Sequence, residues 1–323
     1  MRQVTSRLIS LLALITVGLV LPAVASAEDT YQSLAKNNPN FYGIEGYAQP
    51  EGNIENGSKI FHEGKGAVPA CITCHQKNAL GSDDLGAPRL AGQYYSYLIK
   101  EINDFATDRR KDDIMFTMNM VASKLSDQDK KDVLSYVATL RVGFDGSDVA
   151  ALKKNGQVQD VGDLAKGKSI VKWGLNDRNP PIPACRSCHG ANGRGAPPLF
   201  PMIGRQRYTY LISQLKSWRE GAQESITPEG DGKTGLKDGV NKLGWLATGD
   251  EVKNICKKGR CNDPMAAMRK VAALLSDEDI RNAAAYLTQA RLFGQGDVVA
   301  PYPNLVRADG TGGEDLYYNP EDK

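Results

Sequence analysis

Two five-residue motifs in this chain have the spacing that attaches haem covalently. Cys-Xaa-Xaa-Cys-His occurs at residues 71–75 and again at residues 185–189, and this spacing is the attachment signature of c-type haem. Two thiols three positions apart can each add to one vinyl group of the porphyrin, and the adjoining histidine then lies beneath the iron. We therefore predict two covalently attached haem c groups. The predicted attachment residues and proximal ligands are Cys71, Cys74 and His75, and Cys185, Cys188 and His189.

Paired cysteines also bind zinc or act as redox-active dithiols, and both alternatives fit this chain less well. A zinc ribbon usually separates its two pairs by about 15–20 residues. Here Cys74 and Cys185 lie 111 positions apart, and each pair carries its own histidine. A thioredoxin-like pair would follow a strand, and no β-rich run precedes either motif. Haem is the favoured interpretation.

The N-terminus predicts export from the cytoplasm. Arg2 and Arg7 precede an apolar stretch, residues 8–20, which is followed by Ala-Ser-Ala at residues 25–27. Because apolar character continues almost to residue 25, an uncleaved anchor is the alternative, but a spanning helix needs about 20 apolar residues. The small-residue motif favours a signal peptide, residues 1–27, cleaved before Glu28. We therefore expect a periplasmic protein whose association with the membrane is at most peripheral.

The composition limits the number of domains and the classes of partner. The 323-residue chain has a formal net charge of +2. It therefore lacks the strong basic bias of a nucleic-acid-binding domain. We therefore expect no nucleic-acid partner. The length suits two small domains. Each would be small for a core of side chains alone, so a buried porphyrin is expected to form part of each interior.

The chain contains an internal duplication with one insertion. Residues 88–93 (Pro-Arg-Leu-Ala-Gly-Gln) parallel residues 201–206 (Pro-Met-Ile-Gly-Arg-Gln) at an offset of 113. Residues 125–129 (Leu-Ser-Asp-Gln-Asp) parallel residues 275–279 (Leu-Ser-Asp-Glu-Asp) at an offset of 150. The second repeat therefore holds 37 additional residues, and a duplicated fold is predicted.

Each repeat is expected to be mostly helical. Ser126 and Ser276 are each followed three residues later by an acid, which is the capping-box pattern, and apolar residues then recur at helical spacing. Tyr136 and Tyr286 occupy the same repeat position, where a packing role is favoured over a redox role. The predicted organisation is a signal peptide (1–27), an N-terminal extension (28–50), a first domain (51–142), a linker (143–162), a second domain (163–292, with an insertion at about 224–262) and a tail (293–323).

Counting histidines limits the choice of the sixth iron ligand. The chain has His62 in addition to the two motif histidines, so at most one haem could have two histidine ligands. His62 aligns with Lys172 of the other repeat, which argues against a shared role at the iron. Methionine is then the usual choice, and His/Met ligation raises the reduction potential.

The offset of 150 relates two pairs of methionines, Met115 with Met265 and Met118 with Met268. Met118 and Met268 share a Met-Xaa-Xaa-Val-Ala frame and are the predicted distal ligands, with the other pair as the alternative. Met120 and Met202 have no methionine equivalent and are interpreted as packing residues. If all these methionines were core residues, both irons would be open to ligand binding or catalysis.

The predicted insertion contains two further cysteines, Cys256 and Cys261. In an oxidising compartment such a nearby pair is expected to form a disulfide, which would fix the segment that leads to Met268. The alternative is that one thiolate ligates the second iron and lowers its potential.

The combination of motifs resembles a known family. Two Cys-Xaa-Xaa-Cys-His domains, each followed by a Pro-Xaa-Leu-Ala-Gly-Gln-like segment and a Met…Leu-Ser-Asp segment, are similar to the dihaem class I cytochromes of the cytochrome c4 kind. The resemblance covers about residues 53–290, apart from the insertion. It implies an all-α fold of two tandem class I cytochrome c domains, each wrapped around one covalently bound haem. It also implies that the carbonyls of Pro88 and Pro201 orient the two proximal histidines, and that Met118 and Met268 are the distal ligands.

The function that the resemblance implies is electron transfer rather than catalysis. The leading hypothesis is a carrier that passes single electrons from a quinol-oxidising complex or a dehydrogenase to a terminal oxidase or reductase. The first alternative is a dihaem oxidoreductase of the peroxidase or thiosulfate dehydrogenase type, with one open or thiolate-ligated haem. The second is a haem subunit of a larger dehydrogenase or oxidase complex. The N-terminal extension, the insertion and the tail depart from the family pattern.

Overall fold

A computed structural model describes residues 50–112, 115, 117–140, 146–197, 200–226, 256, 259–263 and 266–290. The predicted signal peptide, all of the N-terminal extension except Pro50, the C-terminal tail, most of the insertion and Met265 lie outside the described residues. Within them, the chain forms helices and isolated β-bridges, so the predicted all-α fold is confirmed. No helix among the described residues is long and apolar enough to cross a membrane.

The helices form two units that follow one another along the chain. The first unit, described from residue 50 to residue 140, contains α1 (Ile54–Glu63), α2 (Ile72–His75), α3 (Tyr95–Ala106), α4 (Thr117–Ala122) and α5 (Asp127–Ala138). The second unit, described from residue 146 to residue 290, contains α6 (Val149–Lys154), α7 (Leu164–Trp173), α8 (Arg186–His189), α9 (Tyr208–Ile226), α10 (Ala267–Ala272) and α11 (Asp277–Gln289).

The last helix of each unit begins at a complete capping box. The Ser126 hydroxyl accepts from the main-chain N–H of Asp129, whose carboxylate accepts from the N–H of Ser126. Ser276 and Asp279 make the same two hydrogen bonds at the start of α11. This pairing satisfies helix N–H groups that have no partner within the helix. The Ser-Xaa-Xaa-Asp pattern predicts both helix N-termini, and the structure confirms them.

The first and last long helices of each unit cross at a glycine. A Cβ atom built at Gly57 of α1 would lie 2.0 Å from the carbonyl oxygen of Asp132 in α5. A Cβ atom at Gly167 of α7 would lie 1.9 Å from that of Asn282 in α11. Only a residue without a side chain permits this approach. The same helix crossing therefore occurs in both units.

Part of the predicted linker packs as part of the second unit. Val149 and Leu152 of α6 are buried against the core formed by α7, α9 and α11, and Gly146 lies against the carbonyl oxygen of Thr288. Apolar burial therefore joins this segment to the second unit.

One residue near the predicted end of the insertion, residue 262, has a counterpart in the first repeat. Arg260 lies over the ring of Trp218 at 4.1 Å, and Arg110 lies over the ring of Phe105 at 4.3 Å. The rings are related by the offset of 113 and the arginines by the offset of 150. Arg260 is thus the repeat equivalent of Arg110.

Candidate haem sites

The two motif histidines lie in identical local settings. His75 ends the single turn of α2 and His189 ends that of α8, and both are buried. Nδ1 of His75 lies 3.0 Å from the carbonyl oxygen of Pro88, and Nδ1 of His189 lies 2.9 Å from that of Pro201. These are the contacts that the resemblance implied. Because Nδ1 donates here, the lone pair of the neutral ring is on Nε2, the atom available to a metal.

Burial lowers the pKa of both histidines below the usual value, although the hydrogen bond to the proline carbonyl opposes the shift. A neutral imidazole is the form that ligates iron. The environment therefore keeps each ring in its ligating protonation state at neutral pH.

The first cysteine of each motif lacks the activated thiol of a redox-active dithiol. Cys71 and Cys185 immediately precede α2 and α8, and burial raises the pKa of each thiol to about 11. Dithiol oxidoreductases instead lower the pKa of the attacking cysteine to expose a thiolate. The raised pKa of the two thiols argues against that alternative and leaves covalent attachment as the better account of the motifs.

The methionines differ in their environments. Met118 of α4 is half-buried and packs against the core of the first unit, whereas Met115 is 81% exposed and Met120 is 54% exposed. Met268 of α10 is half-buried, and Met202 is buried between the two units. Burial therefore favours Met118 over Met115 as the residue that faces an interior group.

A buried guanidinium next to Pro88 shows that the region suits an anionic cofactor. Arg89 donates from Nη2 to the carbonyl oxygen of Gly204 at 2.6 Å and to Sδ of Met202 at 3.3 Å, but its buried Nε and Nη1 have no hydrogen-bond partner. Burial, with Arg205 and Arg207 nearby, lowers the pKa of Arg89 to about 9. A buried cation needs a counter-charge, and a haem propionate carries one. Haem therefore fits the residues present.

Two glutamines connect the units in a reciprocal arrangement that the sequence alone did not reveal. Gln93 donates from Nε2 to the carbonyl oxygen of Met202 and accepts at Oε1 from its main-chain N–H, both at 2.9 Å. Gln206 donates to the carbonyl oxygen of Arg89 at 3.0 Å and accepts from its N–H at 2.7 Å. The sequence shows that the two glutamines are related by the offset of 113. That each one bonds the main chain of the opposite unit follows only from the contact between units.

A second connection between the units is a buried cluster of charged and amide side chains. We call it the interface cluster, and it consists of Lys100, Glu101, Asp104, Arg110, Asp112, Gln214, Arg260 and Asn262. Burial alone would raise the pKa of Glu101, but Arg260, Lys100 and Arg110 together hold it well below its usual range. Glu101 therefore joins the units as a carboxylate that arginines from both units share.

Comparisons with known proteins agree with this geometry. The family model described as cytochrome c matches residues 54–141. A thiosulfate dehydrogenase electron acceptor from Stutzerimonas stutzeri (strain A1501) is 34% identical over 172 residues, which are 52% of this chain and 73% of that protein. A cytochrome c4 from Pseudomonas aeruginosa is 30% identical over 192 residues, which are 59% of this chain and 82% of that protein.

A solved structure of a thiosulfate dehydrogenase from Marichromatium purpuratum is also similar, with a TM-score of 0.55 and 27% sequence identity. The match covers 74% of this chain but 40% of that one. The haem-attachment motifs, their buried histidines and the relatives matched over more than two thirds of their length lead to one conclusion. This chain belongs to the cytochrome c4 family, the dihaem c-type cytochromes that transfer electrons and bind haem c covalently.

Proposed function

We propose that the protein is a periplasmic electron carrier with two His/Met-ligated haem c groups. His75 and Met118 ligate the iron of the first unit, and His189 and Met268 that of the second. The observation that carries this proposal is that two buried histidines have Nδ1 held by a carbonyl and Nε2 available. Each haem, when bound, supplies a one-electron couple between ferric and ferrous iron.

The chain's own residues set the conditions for that couple. The thiols of Cys71, Cys74, Cys185 and Cys188 hold the porphyrins by thioether bonds. Pro88 and Pro201 fix the orientation of the histidine rings, and such outer contacts strengthen a metal ligand. A methionine ligand would exclude water from the iron and raise its potential. The half-buried positions of Met118 and Met268, on equivalent short helices, support this role.

The disulfide between Cys256 and Cys261 belongs to the same proposal. Their Cα atoms are 5.7 Å apart and the sulfur atoms lie within bonding distance. Both sulfurs also approach the carbonyl oxygen of Gly221 in α9, at 3.7 Å and 3.5 Å. The main-chain N–H of Arg260 donates to the carbonyl oxygen of Ser217 in α9 at 2.9 Å, and the disulfide leaves neither cysteine as an iron ligand. It therefore favours the carrier over a thiolate-ligated enzyme.

The proposed partners are other redox proteins, with a quinol-oxidising complex or a dehydrogenase as donor and a terminal oxidase or reductase as acceptor. One relative is named as the electron acceptor of a thiosulfate dehydrogenase, which supports a dehydrogenase as donor. The signal peptide, residues 1–27, and export to the periplasm remain part of the proposal, as do the boundaries of the two domains.

The second candidate function is a dihaem oxidoreductase of the thiosulfate dehydrogenase type. The likeness to the solved thiosulfate dehydrogenase favours it. A direct test supplies the purified holo-protein with thiosulfate and ferricyanide, because the joining of two thiosulfate ions to tetrathionate releases two electrons. We expect no turnover by the protein alone, and rapid reduction of both haems when a thiosulfate dehydrogenase is added to a parallel reaction that contains thiosulfate but no ferricyanide. Turnover by the protein alone would contradict the carrier proposal and support the dihaem oxidoreductase.

A further inference from the structure

Each proximal histidine is joined to the opposite unit through a single peptide group. The carbonyl of the Pro88–Arg89 peptide accepts from Nδ1 of His75 at 3.0 Å, and the N–H of the same peptide donates to Oε1 of Gln206 at 2.7 Å. His75 belongs to the first unit and Gln206 to the second. One amide plane therefore connects a first-unit histidine to a second-unit side chain.

The reciprocal connection has the same construction. The carbonyl of the Pro201–Met202 peptide accepts from Nδ1 of His189 at 2.9 Å, and its N–H donates to Oε1 of Gln93 at 2.9 Å. The two histidines and two glutamines are all buried, between 5% and 7% exposed. Hydrogen bonds are electrostatically stronger in such surroundings than in water.

A peptide that donates at its nitrogen becomes a better acceptor at its oxygen. Hydrogen bonds in a chain polarise one another in this way. A stronger acceptor at Nδ1 draws the ring proton outward and increases the electron donation of Nε2, as outer contacts do at other metal sites. Greater donation stabilises ferric iron over ferrous iron and lowers the reduction potential.

We propose that Gln206 tunes the haem of the first unit and Gln93 tunes the haem of the second, each as a positioning residue that acts across the interface. This inference rests on the proposed function, in which His75 and His189 ligate haem iron. Each glutamine also donates from Nε2 to the carbonyl of the residue whose N–H it accepts. The paired bonds fix the amide, so docking of the units and the potential of each haem are coupled.

The test compares three leucine variants of the full holo-protein: Gln206→Leu, Gln93→Leu and the control Gln214→Leu. Gln214 is buried in the same interface, but its amide bonds the side chains of Asp112 and Arg110. The haem content of each variant is measured first. Each haem is then titrated separately by its hyperfine-shifted methyl resonances, which are assigned through contacts to protons of one unit only.

The expected result is a crossed pattern. Gln206→Leu favours reduction of the His75 haem by about threefold in the equilibrium constant, and Gln93→Leu does the same for the His189 haem. Gln214→Leu changes both haems equally or neither. If leucine prevents folding at either position, the shorter amide of Gln206→Asn or Gln93→Asn gives the same pattern with a smaller effect.

A second measurement reads the histidine directly. In the reduced protein, Gln206→Leu moves the Nδ1–H proton of His75 upfield and leaves that of His189 unchanged. The inference is overturned if each variant shifts the haem of its own unit more than the other haem, or if both haems shift alike. A protein that carries fewer than two haems would instead overturn the proposed function, so the two failures are distinguishable.

Discussion

Arg110 and Arg260, the same position in the two repeats, both donate to one carboxylate oxygen, Oε2 of Glu101, and each does so at 2.6 Å. The repeat equivalent of Glu101 is Gln214, whose amide oxygen also accepts from both arginines. The duplication therefore kept two arginines at the centre of the interface and retained a carboxylate on one side only. The carboxylates of the interface cluster all lie in the first unit, so the contact between units is electrostatically unequal.

Replacement of Glu101 should destabilise the interface strongly. Glu101→Gln leaves Arg110, Arg260 and Lys100 buried without that shared carboxylate, and removal of one partner of a buried ionic group costs about 3–5 kcal/mol. We expect the free energy of unfolding, measured by denaturant titration, to fall by this amount. The control Glu278→Gln removes an exposed partner of Lys166 and should change little. Equal effects of the two variants would contradict a structural role for the cluster.

The same carboxylate predicts a loss of stability in acid. The folded pKa of Glu101 lies well below its usual range, and Arg110 and Arg260 also lower the pKa of Asp112, whereas unfolded carboxylates titrate near pH 4. Below about pH 4 the unfolded chain binds protons that the folded chain does not, so stability falls as the pH falls. The melting temperature should decline from about pH 4.5 downward, and more steeply for the wild type than for Glu101→Gln. Parallel pH profiles of the two proteins would contradict this assignment.

The glycine crossings predict two matched packing variants. Gly57→Ala places a methyl group against the main chain of Asp132, and Gly167→Ala places one against that of Asn282. Added atoms in a packed core cost about 1–3 kcal/mol, so each variant should lower the melting temperature measured by calorimetry. An unchanged melting temperature for Gly57→Ala would contradict the close approach of α1 and α5. The same result for Gly167→Ala would contradict that of α7 and α11.

The ligand assignment predicts that each distal methionine affects one haem. Met118→Ala and Met268→Ala should each abolish the thioether–iron absorption band of one haem and lower its potential. We expect a fall on the order of 100 mV, within the ~0.8 V range that axial ligands set. Met115→Ala is the matched control, because Met115 is 81% exposed, and it should leave both spectra unchanged. If Met115→Ala abolishes the band and Met118→Ala does not, Met115 rather than Met118 is the distal ligand.

The sequence predicted those features that depend on short-range spacing. The Cys-Xaa-Xaa-Cys-His motifs, the capping boxes at Ser126 and Ser276, and the equivalence of the repeats are all local patterns. The contacts of Gln206 and Gln93 depend on how two units meet, and no local pattern reports that. Lys100 and Asp104 have the i, i+4 spacing that is common on exposed helical surfaces, yet both are buried here.

The equivalence of Arg110 and Arg260 is a further relationship that spacing alone does not reveal. Their guanidinium groups lie over equivalent aromatic rings, those of Phe105 and Trp218. Cation–aromatic contacts join residues that are distant in sequence, so spacing within the chain does not reveal them.

The most direct test of two six-coordinate His/Met haems is carbon monoxide binding. The purified holo-protein is reduced completely, its haem content is counted, and its absorption spectrum is recorded before and after carbon monoxide is added. Two haems per chain with no spectral change would support Met118 and Met268 as ligands that close both irons. Carbon monoxide binding at either haem of the native protein would contradict the carrier and favour a catalytic site.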